Sequence, residues 1–118
     1  MKVVRGSVHW YVADPVLGSE QAGRRPALVV SRNSINRSSP VVIIVPLTTY
    51  RGQTLYPSDT LLEPPEAGIR QASVAIGLQI RAVDRRRLDG ELGQLSRSAM
   101  TRIEAALLQV LDIDVGGF

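Results

Sequence analysis

The sequence predicts a small, mainly β barrel with helical cover, on three observations. Several short stretches either alternate polar and apolar residues or concentrate β-branched ones, as strands do. Gly, Pro and Asn residues that favour turns separate these stretches, and one amphipathic pattern closes the chain. At 118 residues the chain has the length of one domain, so we expect a single fold over residues 1–118.

The first half of the chain is predicted to form three strands, over residues 7–13, 25–31 and 41–49. The first alternates Val8, Trp10 and Val12 with polar residues, which indicates one drier face. A long loop leads to the second strand, where Pro26 favours an extended conformation for the residue before it. A polar turn or one helical turn follows, and the third strand is an apolar run that we expect to be buried on both faces.

The second half is predicted to form shorter strands and a helix. The strands cover residues 55–62, 72–84 and 91–95, the second of them either bent or split at Gly77. Ser96 or Ser98 is expected to cap the helix. Its apolar positions follow the spacing of one helical face: Met100, Ile103, Leu107, Val110 and Leu111. The glycines at 116 and 117 are expected to end it.

The composition excludes several kinds of site. Without cysteine there is no disulfide or thiolate metal site, and one histidine, His9, cannot build a zinc cluster or the paired-imidazole site of many ribonucleases. A serine triad would have to use His9 in the middle of a strand, where we expect a half-buried residue. We therefore expect no metal and no cofactor. No apolar run is long enough for a membrane span and the start is unlike a signal peptide, so a cytoplasmic location is expected.

The basic residues are almost all arginine. The formal net charge is +3 and the pI about 10.0, which suits a polyanionic partner. Lys2 is the only lysine among 14 basic residues. Arginine binds phosphate in a bidentate manner and stacks on bases, although a GC-rich genome would produce the same bias. The run at 85–87 is either a basic patch or, more commonly, a solvated loop.

Polar side chains stand at the ends of two apolar strands. Arg24 and Arg25 precede the second strand, and Thr48 and Thr49 close the third. If these strands are neighbours, a guanidinium and a hydroxyl converge at one barrel mouth and form a phosphate site. The structural alternative is that Arg25 pairs with Glu20 and that Thr48 is simply a good strand residue.

Four segments in order resemble the MazF/PemK family. Residues 18–31, Gly-Ser-Glu-Gln-Ala-Gly-Arg-Arg-Pro-Ala-Leu-Val-Val-Ser, resemble its first loop and second strand, and Val45-Pro46-Leu47-Thr48 its third-strand end. Ser73 and Gln79-Ile80-Arg81 resemble a later barrel strand, and the closing helix is similar too. The resemblance covers nearly the whole chain. It implies an SH3-like β-barrel with a C-terminal amphipathic helix, assembled as a homodimer.

The resemblance also implies a function. Such a chain is a sequence-specific, metal-independent endoribonuclease toxin of a type II toxin–antitoxin system. It would cleave single-stranded RNA, mRNA above all, by 2′-OH attack and so inhibit translation and growth. The partner would be a MazE-like antitoxin with an acidic, partly disordered tail.

The family's site residues carry over by position. Arg25 and Thr48 become the catalytic pair, and Glu20 a candidate general base. The RNA-binding residues implied are Ser19, Gln21, Arg24, Thr49, Arg51, Gln79 and Arg81. Two departures stand out: Asp14 lies later than the aspartate that many relatives place after the aromatic pair of strand one, and Arg24 stands where some relatives have histidine.

Two other classes of function stay open. A non-catalytic, CcdB-like gyrase poison of the same fold would bind a protein through the terminal helix. A plain RNA-binding barrel would interleave basic and aromatic residues on one face, but aromatic residues make up only 4% of the chain. The RNA motif that is cut depends on loop geometry and cannot be predicted from the sequence.

Overall fold

The computed structural model describes residues 2–12 and 23–116. Within them, seven strands form one sheet: β1 Ser7–Val12, β2 Arg24–Val29, β3 Val41–Thr49, β4 Asp59–Leu62, β5 Ser73–Ile76, β6 Arg81–Asp84 and β7 Leu88–Gln94. Two α-helices accompany it, α1 Asn33–Ser38 and α2 Arg97–Leu111. Single 3₁₀ turns occupy Glu66–Gly68, Gly77–Gln79 and Arg85–Arg87. The mainly β fold with a C-terminal helix is therefore confirmed.

The long strand β3 organises the sheet. The strand order is β4-β5-β3-β2-β1-β7, and every pairing is antiparallel. On the side away from β2, the first half of β3 pairs with β6 and its second half pairs with β5. β3 can pair with both strands because its nine residues are more than the length of either β5 or β6. The sheet curves strongly between β6 and β5.

Apolar side chains bury both faces of the central strands. One cluster joins Val8, Leu28, Val45 and Leu47 to Ile103 of α2. The other cluster contains their immediate neighbours in the strands, among them Val29 and Ile44. Successive strand residues point to opposite faces, so the two clusters lie on opposite sides of the sheet. This confirms the prediction that the apolar run of β3 is buried on both faces.

The start of α2 is capped twice. The Ser96 hydroxyl accepts a hydrogen bond from the Ala99 amide at 3.2 Å. The Glu66 carboxylate in turn accepts from the Ser96 amide at 2.6 Å and its hydroxyl at 3.0 Å. Ser96, one of the two predicted caps, is thus the N-cap, and Glu66 ties the helix to the sheet.

The end of α2 differs from the prediction. The helix ends at Leu111, because Asp112 adopts a left-handed conformation and its amide binds the carbonyls of Leu108 and Gln109. The glycine at 116 lies four residues further on and does not end it. Aspartate tolerates this conformation better than most residues, which is why the glycines gave the wrong boundary.

Two strands start at other residues than expected, and a third predicted stretch is divided as expected. β4 begins at Asp59 and not at 55, because a turn precedes it in which the Asp59 carboxylate accepts from the Tyr56 amide at 2.9 Å. β7 begins at Leu88 and not at 91. The stretch 72–84 forms two strands, and Gly77 marks the break as expected. A Cβ there would lie 2.6 Å from the Ser58 carbonyl oxygen, which only glycine avoids.

The drier face predicted for β1 is wrong. Val8, but also Ser7 and His9 on the opposite face, have no exposed surface. Ser7 and His9 can be buried because they hydrogen-bond each other and Ser7 also binds the Val4 carbonyl. The alternation of polar and apolar residues in β1 therefore does not correspond to an exposed and a buried face.

The arginine run at 85–87 serves the fold. Arg85 donates to the carbonyls of Asn36 at 2.7 Å and Ser39 at 3.1 Å, which closes the end of α1. Arg86 pairs with Asp84 at 2.8 Å, and its hydrogen bonds hold the pKa of that carboxyl at about 2. Arg87 donates to the Val12 carbonyl at 3.4 Å. These contacts favour the structural interpretation over a basic patch for nucleic acid.

Candidate active site

A cavity of about 830 Å³ opens where the ends of several strands meet. Five residues that the sequence singled out line it, namely Arg24, Arg25, Thr48, Thr49 and Arg51. The sequence prediction that a guanidinium and a hydroxyl from different strands converge is therefore confirmed for the described residues.

The sheet register explains why Arg25 and Thr48 meet. β2 pairs with β3 through Ala27 and Pro46. Arg25 and Thr48 each lie two residues beyond this pair, at the same end of the two paired strands, and both line the cavity. The Thr48 hydroxyl makes no hydrogen bond with any residue in 2–12 or 23–116, so it is available to a ligand in the cavity.

Arg24 is held by two contacts. Its Nη1 lies 3.3 Å from Oδ2 of Asp89, and its guanidinium carbon lies 4.8 Å from the centroid of the Trp10 ring. β1 runs between β2 and β7, so Arg24 reaches across Trp10 to the acid on the far strand. Both contacts hold the guanidinium over the Trp10 ring at the edge of the cavity.

Five polar or aromatic lining residues were missed by the sequence analysis: Trp10, Arg70, Gln71, Ser73 and Glu91. Trp10 was taken only as a strand residue, and Ser73 only as part of the resemblance. The register of Thr49 with Ser73 brings the segment at 70–73 to the end of β3. No local sequence pattern predicts the pairing of Thr49 with Ser73. The family resemblance, which includes Ser73, could have indicated that this residue lies at the site.

Gln79 and Arg81 do not line this cavity. Gln79 is exposed in the 3₁₀ turn after β5, and Arg81 pairs in register with Ile44, four residues before Thr48. Its guanidinium carbon lies 5.9 Å from the centroid of the ring of Tyr11, the residue that pairs with Arg25 between β1 and β2. Their place in an RNA groove stays a prediction. Ser19, Glu20 and Gln21 lie outside the described residues.

His9, next to Trp10 in β1, is fully buried and not half-buried as expected. The Ser7 hydroxyl donates to the Val4 carbonyl, so it must accept at 2.8 Å from His9 Nε2. The neutral ring therefore carries its proton on Nε2, and Nδ1 has no partner among the described residues. Burial lowers the pKa of His9 below 6.5, while the charge of Glu91 raises it. A buried neutral imidazole fits the prediction that His9 is structural.

The described part of the chain offers no site for a metal built from acids and histidine: no three such side chains come together in it. Nor is any helix within it long and apolar enough to cross a bilayer. The cavity instead gathers arginines, hydroxyls and one carboxylate, a set that binds and polarises phosphate through hydrogen bonds.

Comparison with known proteins places the chain in a family. Residues 4–111 match the model of the PemK-like, MazF-like toxins of type II toxin–antitoxin systems. The chain belongs to this family.

Two curated members of the PemK/MazF family are similar over most of the chain. Endoribonuclease EndoA of Bacillus subtilis (strain 168) is 34% identical over 107 residues, which is 91% of this chain and 92% of that protein. Endoribonuclease MazF of Staphylococcus epidermidis is 34% identical over 112 residues, 95% of this chain and 90% of that one. The relatives are named for RNA cleavage, so the endoribonuclease interpretation is favoured over the CcdB-like alternative.

Solved structures agree with the PemK/MazF fold. The MazE–MazF complex (form II) from Deinococcus radiodurans superposes with a TM-score of 0.79 at 25% identity, over 97% of this chain and 99% of the other. MazF (form I) from the same organism gives a TM-score of 0.76 at 25% identity, over 96% and 99%.

Proposed function

We propose that this chain is a sequence-selective, metal-independent endoribonuclease that cuts single-stranded RNA in the cavity and acts as the toxin of a toxin–antitoxin pair. The observation that carries the proposal is the meeting of Arg25 and Thr48 in one cavity whose other cations, Arg24, Arg51 and Arg70, suit a phosphodiester chain.

The reaction needs only groups that RNA and the chain supply. The ribose 2′-oxygen attacks the adjacent phosphorus while the bond from phosphorus to the 5′-oxygen breaks, which gives a 2′,3′-cyclic phosphate and a free 5′-hydroxyl. Negative charge grows on the non-bridging oxygens in the transition state. Arg25 donates to these oxygens through its planar fork, and the Thr48 hydroxyl donates one further hydrogen bond.

A base must take the 2′-hydroxyl proton, and an acid must protonate the 5′-oxygen. Glu20 is the candidate base that the family resemblance implies. A carboxylate close to an arginine is a weak base, because the positive charge favours its ionised form. Alignment of the 2′-oxygen with the leaving oxygen then contributes much of the rate.

The remaining predicted residues bind the chain on either side of the scissile phosphate. Arg24, Thr49 and Arg51 would do so from the cavity wall. Ser19 and Gln21 would contribute from the preceding loop, and Gln79 and Arg81 from the neighbouring part of the sheet. Unpaired RNA fits such a groove, since its bases can be splayed away from the backbone.

The positive charge of the arginines that line the cavity also suits an acidic protein partner. The Deinococcus structure is of MazE with MazF. For this chain we propose an antitoxin of the MazE type whose acidic tail lies over the cavity, where its carboxylates take the place of RNA phosphates near Arg25 and Arg51. Such inhibition weakens as salt is added.

We also propose a homodimer in the cytoplasm, as the family resemblance implies, and a group of exposed apolar side chains supports it. The middle of the apolar face of α2 is covered, since Ile103 is only 2% exposed. An apolar patch of four exposed side chains lies instead at the end of α2 and on the 3₁₀ turn that α2 contacts: Leu78, Leu111, Ile113 and Val115. A second copy would cover this patch.

The direct experiment is incubation of the pure protein with a long RNA in EDTA. The proposal predicts discrete fragments with cyclic phosphate and 5′-hydroxyl ends, from single-stranded RNA and not from DNA or duplex. Cleavage that requires added magnesium, or that ignores strand pairing, would refute it. Binding without cleavage would favour the plain RNA-binding barrel.

A further inference from the structure

The described lining of the cavity includes a single carboxylate and an arginine that lies over an aromatic ring. Asp89 binds Arg24 and so keeps its guanidinium over the Trp10 ring. The Arg24 side chain is still 52% exposed, so this stack has an open outer side. Bases stack on guanidinium planes and on aromatic rings in single-stranded RNA complexes. The Arg24–Trp10 stack is therefore a surface on which one base can lie.

Glu91 stands two residues beyond Asp89 on β7 and lines the cavity. It is the only acid among the described lining residues, which include four arginines. Its carboxylate forms no ion pair and no hydrogen bond within residues 2–12 and 23–116. An acid in a phosphate-binding cavity repels the backbone of RNA. It fits there if it accepts hydrogen bonds from a base edge.

The chemistry of a carboxylate distinguishes the four bases. Guanine alone presents two adjacent donors, N1–H and the 2-amino group, which match both carboxylate oxygens. Adenine and cytosine place an acceptor nitrogen beside their amino group, and uracil flanks its single N–H with two carbonyls. In each of these three, the second carboxylate oxygen meets a lone pair.

We propose that Glu91 and the Arg24–Trp10 stack form a subsite that selects one guanine of the RNA, an inference that rests on the ribonuclease function proposed above. Glu91 binds the guanine edge in a bidentate manner while the ring lies on Arg24. A good bidentate contact discriminates by about tenfold to a hundredfold against a wrong base.

The test is cleavage of a random-sequence RNA pool, with the cut ends sequenced, by the wild type, by Glu91→Gln and by Glu63→Gln. Glu63 is an exposed acid outside the cavity lining, so its variant controls for the change in net charge. We expect wild-type and Glu63→Gln sites to carry guanine at one position with at least tenfold preference. Glu91→Gln should reduce that preference to less than threefold.

A second arm removes only the 2-amino group. Inosine replaces the selected guanosine in a short RNA that contains the wild-type motif. The wild-type rate should fall about tenfold or more, whereas Glu91→Gln should cut both RNAs at equal rates. A wild-type motif without guanine, or a guanine preference that survives in Glu91→Gln, overturns the subsite and leaves the ribonuclease standing. A wild type that cuts no RNA overturns the ribonuclease itself.

Discussion

Arg25 of β2 and Thr48 of β3 line one cavity, and each lies two residues beyond the Ala27–Pro46 pair, at the same end of the two strands. The backbones of both residues are held by the hydrogen bonds of the sheet, since Arg25 pairs with Tyr11 and Thr48 pairs with Val74. A rigid backbone is what preorganised electrostatic catalysis requires, because donors that must move to reach the transition state lose part of their advantage.

Thr48→Val should slow cleavage by about ten- to a hundredfold, the effect of removing one hydrogen bond to a charged oxygen. Valine keeps the branched shape and the strand preference, so the fold should be little affected. Single-turnover cleavage measures the change. Thr54→Val is the control, since Thr54 is exposed and lies outside the cavity lining. Equal rates for both variants would remove Thr48 from the proposed chemistry.

His9 should titrate with a pKa below 6.5, because burial disfavours its charged form more than Glu91 favours it. The unfolded chain then binds more protons than the folded one below pH 6.5. The free energy of unfolding should therefore fall as the pH drops through that value and be unaffected by His9 above it. NMR titration measures the pKa directly, since the only histidine signals come from His9. A midpoint at or above 6.5 would contradict this burial argument.

The double variant Leu78→Ser, Ile113→Ser should weaken the proposed dimer. Both side chains are more than half exposed, so their replacement removes apolar surface that a partner would cover without opening the core. Sedimentation equilibrium should give about twice 12.8 kDa for the wild type and a mass nearer 12.8 kDa for the variant.

Val41→Ser is the matched control for the dimer, because Val41 is 42% exposed at the start of β3 and lies outside the patch. It should leave the dimer intact. A wild-type monomer at micromolar concentration would refute the dimer. A double variant that assembles as well as the wild type would place the interface elsewhere.

The sequence predicted those parts of the fold that local signals determine. β3 ends at Thr49 as expected, because an unbroken apolar run stops there. Gly77 breaks the strand that contains it, because a close backbone contact excludes a side chain. The end of α2 was missed, since Asp112 adopts a conformation more typical of glycine.

The site was predictable only in part, for a physical reason. Arg25 and Thr48 stand at strand ends, a position that the sequence marks. Glu91 and Arg70 reach the cavity through pairings between distant strands and through the segment after the 3₁₀ turn at Glu66–Gly68, and no local pattern encodes these. Arg81 shows the opposite case, because its register with Ile44 places it about 13 Å along β3 from Thr48.

The most direct test of the account is single-turnover cleavage by Arg25→Lys, beside a binding assay on an uncleavable 2′-deoxy RNA. Lysine keeps the charge but cannot reproduce the planar fork that grips two phosphate oxygens. Arg37→Lys, on the exposed surface of α1, is the matched control. We predict that Arg25→Lys cuts about 10² to 10³ times more slowly while its RNA affinity changes by less than about tenfold. Near-native cleavage by Arg25→Lys would contradict the catalytic role and leave Arg25 as a structural ion-pair partner of Glu20.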